Sequence, residues 1–312
     1  MDFSLINQLP LEDRPFELDQ HGPVFILGCP RSGTTFLSNC IGALPGLREY
    51  VGVLAPPRLM HLIGGLNCEE TQNRLMLSIR DIFWQTFWRD EFFRKRKIAL
   101  FLEGKVMISE LISRPSMSGL VFCYKEPFLC FAASKFASHF PNSRFIHIVR
   151  DGRDTADSMC RTYGDALSDE TLSSDALSMN KVSEIGFWNR VNGFNYPWYL
   201  QQEEYGRFRR LSSYGRYVRL WKEMTERALM LSSLVPSERY LEIRYENVVT
   251  NPEAESYRIQ KFLKKKAASS LNRKLRNAHS KSLGISKVNQ GPEMFDQAID
   301  VAGSLLKELG YD

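Results

Sequence analysis

Two short stretches of this chain carry residue types that can grip anions. The first, Gly28-Cys29-Pro30-Arg31-Ser32-Gly33-Thr34-Thr35, follows the apolar run Val24–Leu27 and opens into a helical pattern over 34–44. A strand-to-helix turn of this kind converges backbone N–H groups on one point, and the helix dipole adds partial positive charge there. Gly33 permits close backbone approach, Ser32, Thr34 and Thr35 offer hydroxyls, and Arg31 supplies a cation. Gly28 and Gly33 have the spacing of the nucleoside-triphosphate loop GxxxxGK[ST], but Thr34 stands where its lysine belongs. Taken alone, the stretch also fits a structural Gly-Thr turn at the start of an ordinary helix.

The second stretch, Arg150-Asp151-Gly152-Arg153-Asp154-Thr155-Ala156-Asp157-Ser158, follows the apolar strand pattern ending at Val149. An arginine at a strand end and a serine two helical turns later can converge on one dianion, the first giving charge and the second direction. The plainer reading is a surface Arg/Asp network at a helix start, which contributes little to stability.

The elements that would carry these groups alternate strand and helix. Strand patterns lie at 24–28, 119–125, 144–149 and 240–243, and helical spacing recurs over 71–95, 216–234 and from Asn251-Pro252-Glu253 onward. The last helix is read with Phe295, Ile299, Ala302, Leu306 and Leu309 on its buried face and Gly310 as its stop. Such alternation predicts an α/β fold, a mainly parallel sheet flanked by helices on both faces. We read 1–312 as one domain, interrupted at about 164–215 by an insertion dense in Tyr, Trp, Phe and Arg.

Composition sets outer bounds. The chain has 312 residues, 43% of them hydrophobic, and a formal charge of +5, which excludes fibrous and disordered classes and is too small for a nucleic-acid coat. No run approaches the ~18 apolar residues of a membrane span, and no signal peptide is visible. Six cysteines form no CxxC pair, so reduced thiols are expected, with neither a disulfide framework nor a zinc site. Together these features predict a soluble, cytoplasmic protein.

Pro30-Arg31-Ser32-Gly33-Thr34-Thr35 resembles the 5′-phosphosulfate loop of sulfotransferases that use 3′-phosphoadenylyl sulfate (PAPS). Arg150 and Ser158 are similar to that family's 3′-phosphate motif in type, spacing and order. Tyr124-Lys125-Glu126-Pro127 resembles its strand-end lysine motif, and Arg244-Tyr245-Glu246-Asn247 with Asn251-Pro252 its late strand–loop–helix signature. The resemblance runs from about residue 22 to the end, is weakest in 50–118 and 164–215, and is to the soluble, bacterial-type branch. It implies the fold akin to nucleotide kinases, PAPS as sulfuryl donor with no metal, and release of adenosine 3′,5′-bisphosphate. It further implies that Arg31, Ser32, Gly33, Thr34, Thr35, Arg150, Ser158 and Tyr245 bind the donor, Lys125 lying near the group in flight.

The acceptor hydroxyl or amine needs a base, and here the chain departs from the family. Pro127 occupies the histidine position of the small-molecule branch, and Gly52 the ungapped position of the glutamate used elsewhere. Glu49 is the first choice, with Glu126 and His61 behind it. The acceptor is expected to be a small molecule, a carbohydrate or another hydroxyl-bearing partner, met by the aromatic and arginine side chains of the insertion. Those rings equally suit a core under a long loop. Two other readings stand beside this one: a P-loop kinase or NTPase, disfavoured by Thr34, and a catalytically inactive nucleotide-binding protein, favoured by the missing base.

Overall fold

Every side chain of Val24-Phe25-Ile26-Leu27 is fully buried, which only a strand covered on both faces can achieve. The computed structural model describes residues 22–49, 57–92, 102, 121–175 and 188–311. In it this strand, β1, is the centre of a five-stranded sheet of order β2-β3-β1-β4-β7. The other strands are β2 (Leu47–Glu49), β3 (Val121–Lys125), β4 (Arg144–Val149) and β7 (Tyr240–Arg244), and every pairing is parallel. Strands β5 (Trp188–Val191) and β6 (Phe194–Pro197) form a separate antiparallel hairpin.

The helices, in chain order, are α1 (Thr34–Ile41), α2 (Pro57–Gly65), α3 (Glu69–Phe92), α4 (Ala133–His139), α5 (Gly152–Tyr163) and α6 (Asp169–Ser173). They continue with α7 (Tyr205–Arg210), α8 (Ser213–Leu234), α9 (Tyr245–Thr250), α10 (Pro252–Phe262), α11 (Ser269–Leu275), α12 (Ser286–Asn289) and α13 (Pro292–Glu308). Alternate strand residues point to opposite faces. Phe25, Phe122, Tyr124 and Phe145 pack with Phe83 of α3, Phe136 of α4, Met159 of α5, Trp221 of α8 and Leu305 of α13. Val24, Ile26, Cys123, Ile146 and Ile148 pack on the other face with Leu37 of α1, Val248 of α9, Ile259 of α10 and Leu271 of α11. The α/β fold with helices on both faces is therefore as the alternation predicts. Among the described residues no helix is long and apolar enough to cross a membrane.

Three local features differ from the sequence reading. The three-residue β2 is too short to show a periodicity. The buried stripe of α13 is Ala298, Val301, Ala302, Leu305 and Leu306, while Ile299 is exposed. The insertion contains the β5–β6 hairpin, turned by Asn192 and Gly193 at φ 50° and 76°, the left-handed pair that a tight hairpin requires.

The rings of that insertion are mostly core. Tyr196, Tyr199, Phe208, Tyr214 and Tyr217 are buried; Trp188, Trp198 and Tyr205 are partly covered, and Phe187 lies outside the described residues. Arg216, 1% exposed, knots the region together by donating to the carbonyls of Leu167, Phe208 and Arg209, its guanidinium over the rings of Phe194 and Phe208. The aromatic density that suggested an acceptor surface is spent largely on packing.

Two packing details make predictions. A Cβ on Gly152 would sit 2.4–2.7 Å from ring carbons of Trp221, a fully buried side chain with no room to retreat. Gly152→Ala should cost about 1–3 kcal/mol, the usual penalty of overpacking, measured as a lower urea midpoint; an unchanged midpoint would show that Trp221 can move. His147 in β4 is fully buried, its Nδ1 2.8 Å from the Tyr240 hydroxyl, and burial lowers its pKa from the ordinary 6.5 to about 3. Below pH 6.5 the unfolded chain takes up a proton that the folded one refuses, so His147 makes stability fall with acidification by about 1.4 kcal/mol per pH unit. Urea melts between pH 6.5 and 4.5 should show a shallower decline for His147→Gln than for the unaltered protein.

Candidate functional site

All five parallel strands end at one edge of the sheet, and each ends at or beside a residue that the sequence singles out. Leu27 leads into the loop 28–33, β3 ends on Lys125, β4 leads into Arg150, β7 into Tyr245, and β2 ends on Glu49. In an open α/β sheet the crevice beyond these carboxyl ends is where ligands bind.

The loop is held in a conformation that most residues avoid. Arg31 has φ 71° and Gly33 φ 98°, both left-handed. Gly33 is obligatory for a second reason, since a Cβ there would lie 2.8 Å from the Tyr245 ring. No side chain caps the first turn of α1, leaving its outward N–H groups to an incoming acceptor. Ser32 is fully buried and its hydroxyl finds no hydrogen-bond partner among the described residues. Thr34 is buried, whereas Thr35 and the Arg31 side chain are exposed.

The two anion motifs meet. The Arg31 Nε donates to Ser158 Oγ at 3.2 Å, and Arg150 Nη1 donates to the Arg31 carbonyl at 3.3 Å. Arg150 is 4% exposed, sits 5.2 Å over the Tyr245 ring and donates through Nη2 to the Ser282 carbonyl. Its Nε is left without a partner among the described residues. Trp221 fixes the backbone from behind, its indole N–H donating to the Arg150 carbonyl at 3.1 Å. Two orphaned buried groups, Ser32 Oγ and Arg150 Nε, thus lie on the two motifs expected to receive phosphate.

The rest of the second motif divides by role. Asp151 caps α5 and pairs with Arg153 at 2.8 Å, the structural network of the plainer reading. Its N–H donates to Glu246, whose carboxyl burial holds above the usual range and which also accepts from Tyr311. Asp154 instead faces the segment after α11. That segment escaped the sequence reading, as did Ser282 within it; its only signal is a run of Ser, Gly and Lys without helical or strand period.

The base candidates fall in different places. Glu126 is buried and its carboxylate accepts from the Phe128 N–H at 3.1 Å, capping a 3-10 turn over Pro127–Phe131. His61 in α2 is 1% exposed and stacks on Phe131 at 4.4 Å. Its Nδ1 accepts from the Trp198 indole N–H at 2.7 Å, so the ring proton is on Nε2 and no lone pair remains for a substrate. Burial, and then the charge of Arg227, lower its pKa to about 3. Glu49, on the strand next to β3, pairs in register with Cys123, two residues short of Lys125; its side chain lies outside the described residues. Lys125, half-buried, pairs in register with Ile26 of β1 beside the loop. Among the described residues no group of three or more His, Cys, Asp or Glu is arranged to hold a metal ion.

Comparison with known proteins finds one family. Protein-tyrosine sulfotransferase A of Caenorhabditis elegans is 23% identical over 241 residues, covering 77% of this chain and 49% of its own. Protein-tyrosine sulfotransferase 2 of Gallus gallus is 27% identical over 209 residues, covering 66% and 49%. The chain thus spans about half the length of these relatives. Among solved structures, the sulfotransferase domain from the curacin biosynthetic pathway aligns with a TM-score of 0.48 at 15% identity, covering 91% of this chain and 97% of that one. A sequence model of the sulfotransferase family matches residues 23–193, more than half the chain. With its loop 28–35 and its Arg150–Ser158 pair inside that match, the chain belongs to the sulfotransferase family.

Proposed function

We propose that the protein transfers a sulfuryl group from PAPS to an acceptor hydroxyl, releasing adenosine 3′,5′-bisphosphate. The observation that carries this reading is the meeting of the two anion motifs through the Arg31–Ser158 and Arg150–Arg31 hydrogen bonds. Two anion sites in contact, each with an orphaned buried donor, suit a nucleotide bearing phosphate at both ends of one ribose. A triphosphate would call for the lysine that Thr34 replaces.

In the proposed reaction the acceptor oxygen bonds to sulfur while the bond from sulfur to the 5′-phosphate oxygen breaks. The acceptor's proton passes to a base, and negative charge grows on the departing phosphate. Preorganised donors at that oxygen are the main means of lowering the barrier. The first-turn amides of α1, Ser32, Thr34, Thr35, Arg31 and Lys125 are proposed to supply them, with Arg150 and Ser158 holding the 3′-phosphate. Glu49 is proposed as the base, because it ends the strand beside β3, level with Cys123 and two residues short of Lys125.

The acceptor is proposed to enter on the β2 side, opposite the Arg150 pocket. The names of the curated relatives raise a protein tyrosine as the hydroxyl, alongside the small-molecule and carbohydrate acceptors expected from the sequence. The partly covered rings of Trp188 and Trp198 are what the insertion could still offer it. A cytoplasmic setting is part of the proposal and fits six cysteines that form no disulfide.

Adenosine 3′,5′-bisphosphate should bind without magnesium in calorimetry. Joint Arg150→Ala and Ser158→Ala replacement should weaken it roughly 100-fold or more, as expected for losing charge-assisted hydrogen bonds. Magnesium-dependent ATP turnover with no bisphosphate binding would favour the kinase reading instead. Glu49→Gln should lower the transfer rate constant by about 10²–10⁴ while leaving bisphosphate affinity unchanged. Retained transfer in that variant would move the base elsewhere.

A further inference from the structure

Two buried carboxylates on α5 are absorbed neither by the anion motifs nor by ordinary helix capping. Asp154 and Asp157 are 2% and 0% exposed. Asp154 accepts from the Gly284 N–H at 2.7 Å, the Ser286 N–H at 2.9 Å and the Ser286 hydroxyl at 2.7 Å. Its Oδ2 lies 3.7 Å from Arg150 Nη2. Asp157 accepts from Asn289 at 3.1 Å, Gln290 at 2.8 Å and Arg161 at 2.9 Å. One helix thus holds residues 284–290 by two separate carboxylates, three residues apart.

Only Asp154 connects to the pocket. Gly284, at φ 67°, turns the chain so that Ser282, two residues earlier, presents its carbonyl to Arg150 Nη2. The Ser282 hydroxyl also donates to the Tyr245 hydroxyl at 3.4 Å, and Tyr245 lies beneath the guanidinium. With one Nη1 N–H engaged by the Arg31 carbonyl and one Nη2 N–H by Ser282, the guanidinium nitrogen left without a partner among the described residues is Nε. A guanidinium binds phosphate best through a fork of two adjacent N–H groups, so which edge is free decides whether the fork is offered.

We propose that Asp154 is a positioning residue that sets the pocket's selectivity for a 3′-phosphate, holding residues 282–286 so that Arg150 keeps its Nε edge turned toward the ligand. This rests on the donor reading given above. A competing role, simple counter-charge to Arg150, predicts the opposite sign. A negative charge beside the guanidinium weakens its pull on any anion, so neutralising it would tighten phosphate binding. Loss of positioning instead weakens binding of the 3′-phosphate alone.

The test is calorimetry on the full chain with adenosine 3′,5′-bisphosphate and adenosine 5′-monophosphate. The unaltered protein should prefer the bisphosphate; equal affinities there would overturn the donor reading, and this inference with it. Asp154→Asn should cut the preference roughly 10-fold or more, the scale of a hydrogen bond to a charged group, with monophosphate affinity unchanged. A preserved or increased preference in Asp154→Asn, beside normal preference in the unaltered protein, overturns the positioning role alone.

Ser286→Ala keeps the charge and removes one of the three bonds, so it should shift the preference about 3-fold the same way. It carries the test should Asp154→Asn fail to fold, and an unchanged preference in it overturns the proposal. Asp157→Asn holds only residues 289 and 290 in question and should lower both affinities alike. Loss of preference in it equal to that in Asp154→Asn would mean that the segment's general order, and not Asp154, sets selectivity.

Discussion

Arg150 is a buried cation, and the site is organised by what that burial demands. Removing a guanidinium from water costs several kcal/mol unless its charge and its N–H groups are met inside. Here they are met from four parts of the chain: Asp154 on its own helix, the Arg31 carbonyl in the loop, the Ser282 carbonyl after α11, and the face of Tyr245 after β7. No one of these segments is a neighbour of another in sequence. Packing one charged group therefore draws the ends of β1, β4 and β7 and the 282–286 segment into a single wall. Nε, the guanidinium nitrogen without a partner among the described residues, is the group that a ligand would complete.

The loop carries the complementary constraint. A non-glycine residue at positive φ costs about 1 kcal/mol or more and persists only when its surroundings over-determine it. At Arg31 those surroundings are the contacts just named: its carbonyl accepts from Arg150 and its side chain donates to Ser158. Strain in the loop and burial of Arg150 support each other, since relaxing Arg31 would withdraw a carbonyl that the buried guanidinium needs. This coupling is a structural reason for the two motifs to stand together, whatever they bind.

How much of this was legible in the sequence follows the physics of each element. Strands buried on both faces read as apolar runs, so β1, β3 and β4 were plain, and the parallel order followed from the alternation. That Gly33 stands at a strand-to-helix turn, and Arg150 and Ser158 after the end of another strand, was legible from residue types and spacing; that the two stretches touch was not. Asp154 was visible but ambiguous, for nothing in the run 150–158 says that Asp151 caps the helix while Asp154 reaches across to Ser286. That distinction is tertiary. The three-residue β2 has no period to read, and the placement of Ile299 outside the core depends on a helix rotation that 3.6-residue spacing leaves open by one position. The Asn192-Gly193 hairpin, in contrast, carried its local signal; the surrounding aromatic density drew attention away from it, and those rings are largely core.

The same division separates what the fold holds firmly from what it leaves adjustable. The donor wall hangs on β1, β4 and β7, each backed by helices, and on the Trp221 indole that grips the Arg150 carbonyl and fills the space beside Gly152. Its polar groups are buried, so a change in one disturbs the others. On the opposite flank β2 is a strand of three residues, paired among the described residues with β3 alone. Glu49 ends that strand, which makes no pairing with β1, β4 or β7. His61 and Glu126, by comparison, are locked: one has its lone pair committed to Trp198 and the other its carboxylate to the Phe128 N–H. The commitment of both buried candidates is thus a physical reason behind the proposal of Glu49, and not of either of them, as the base.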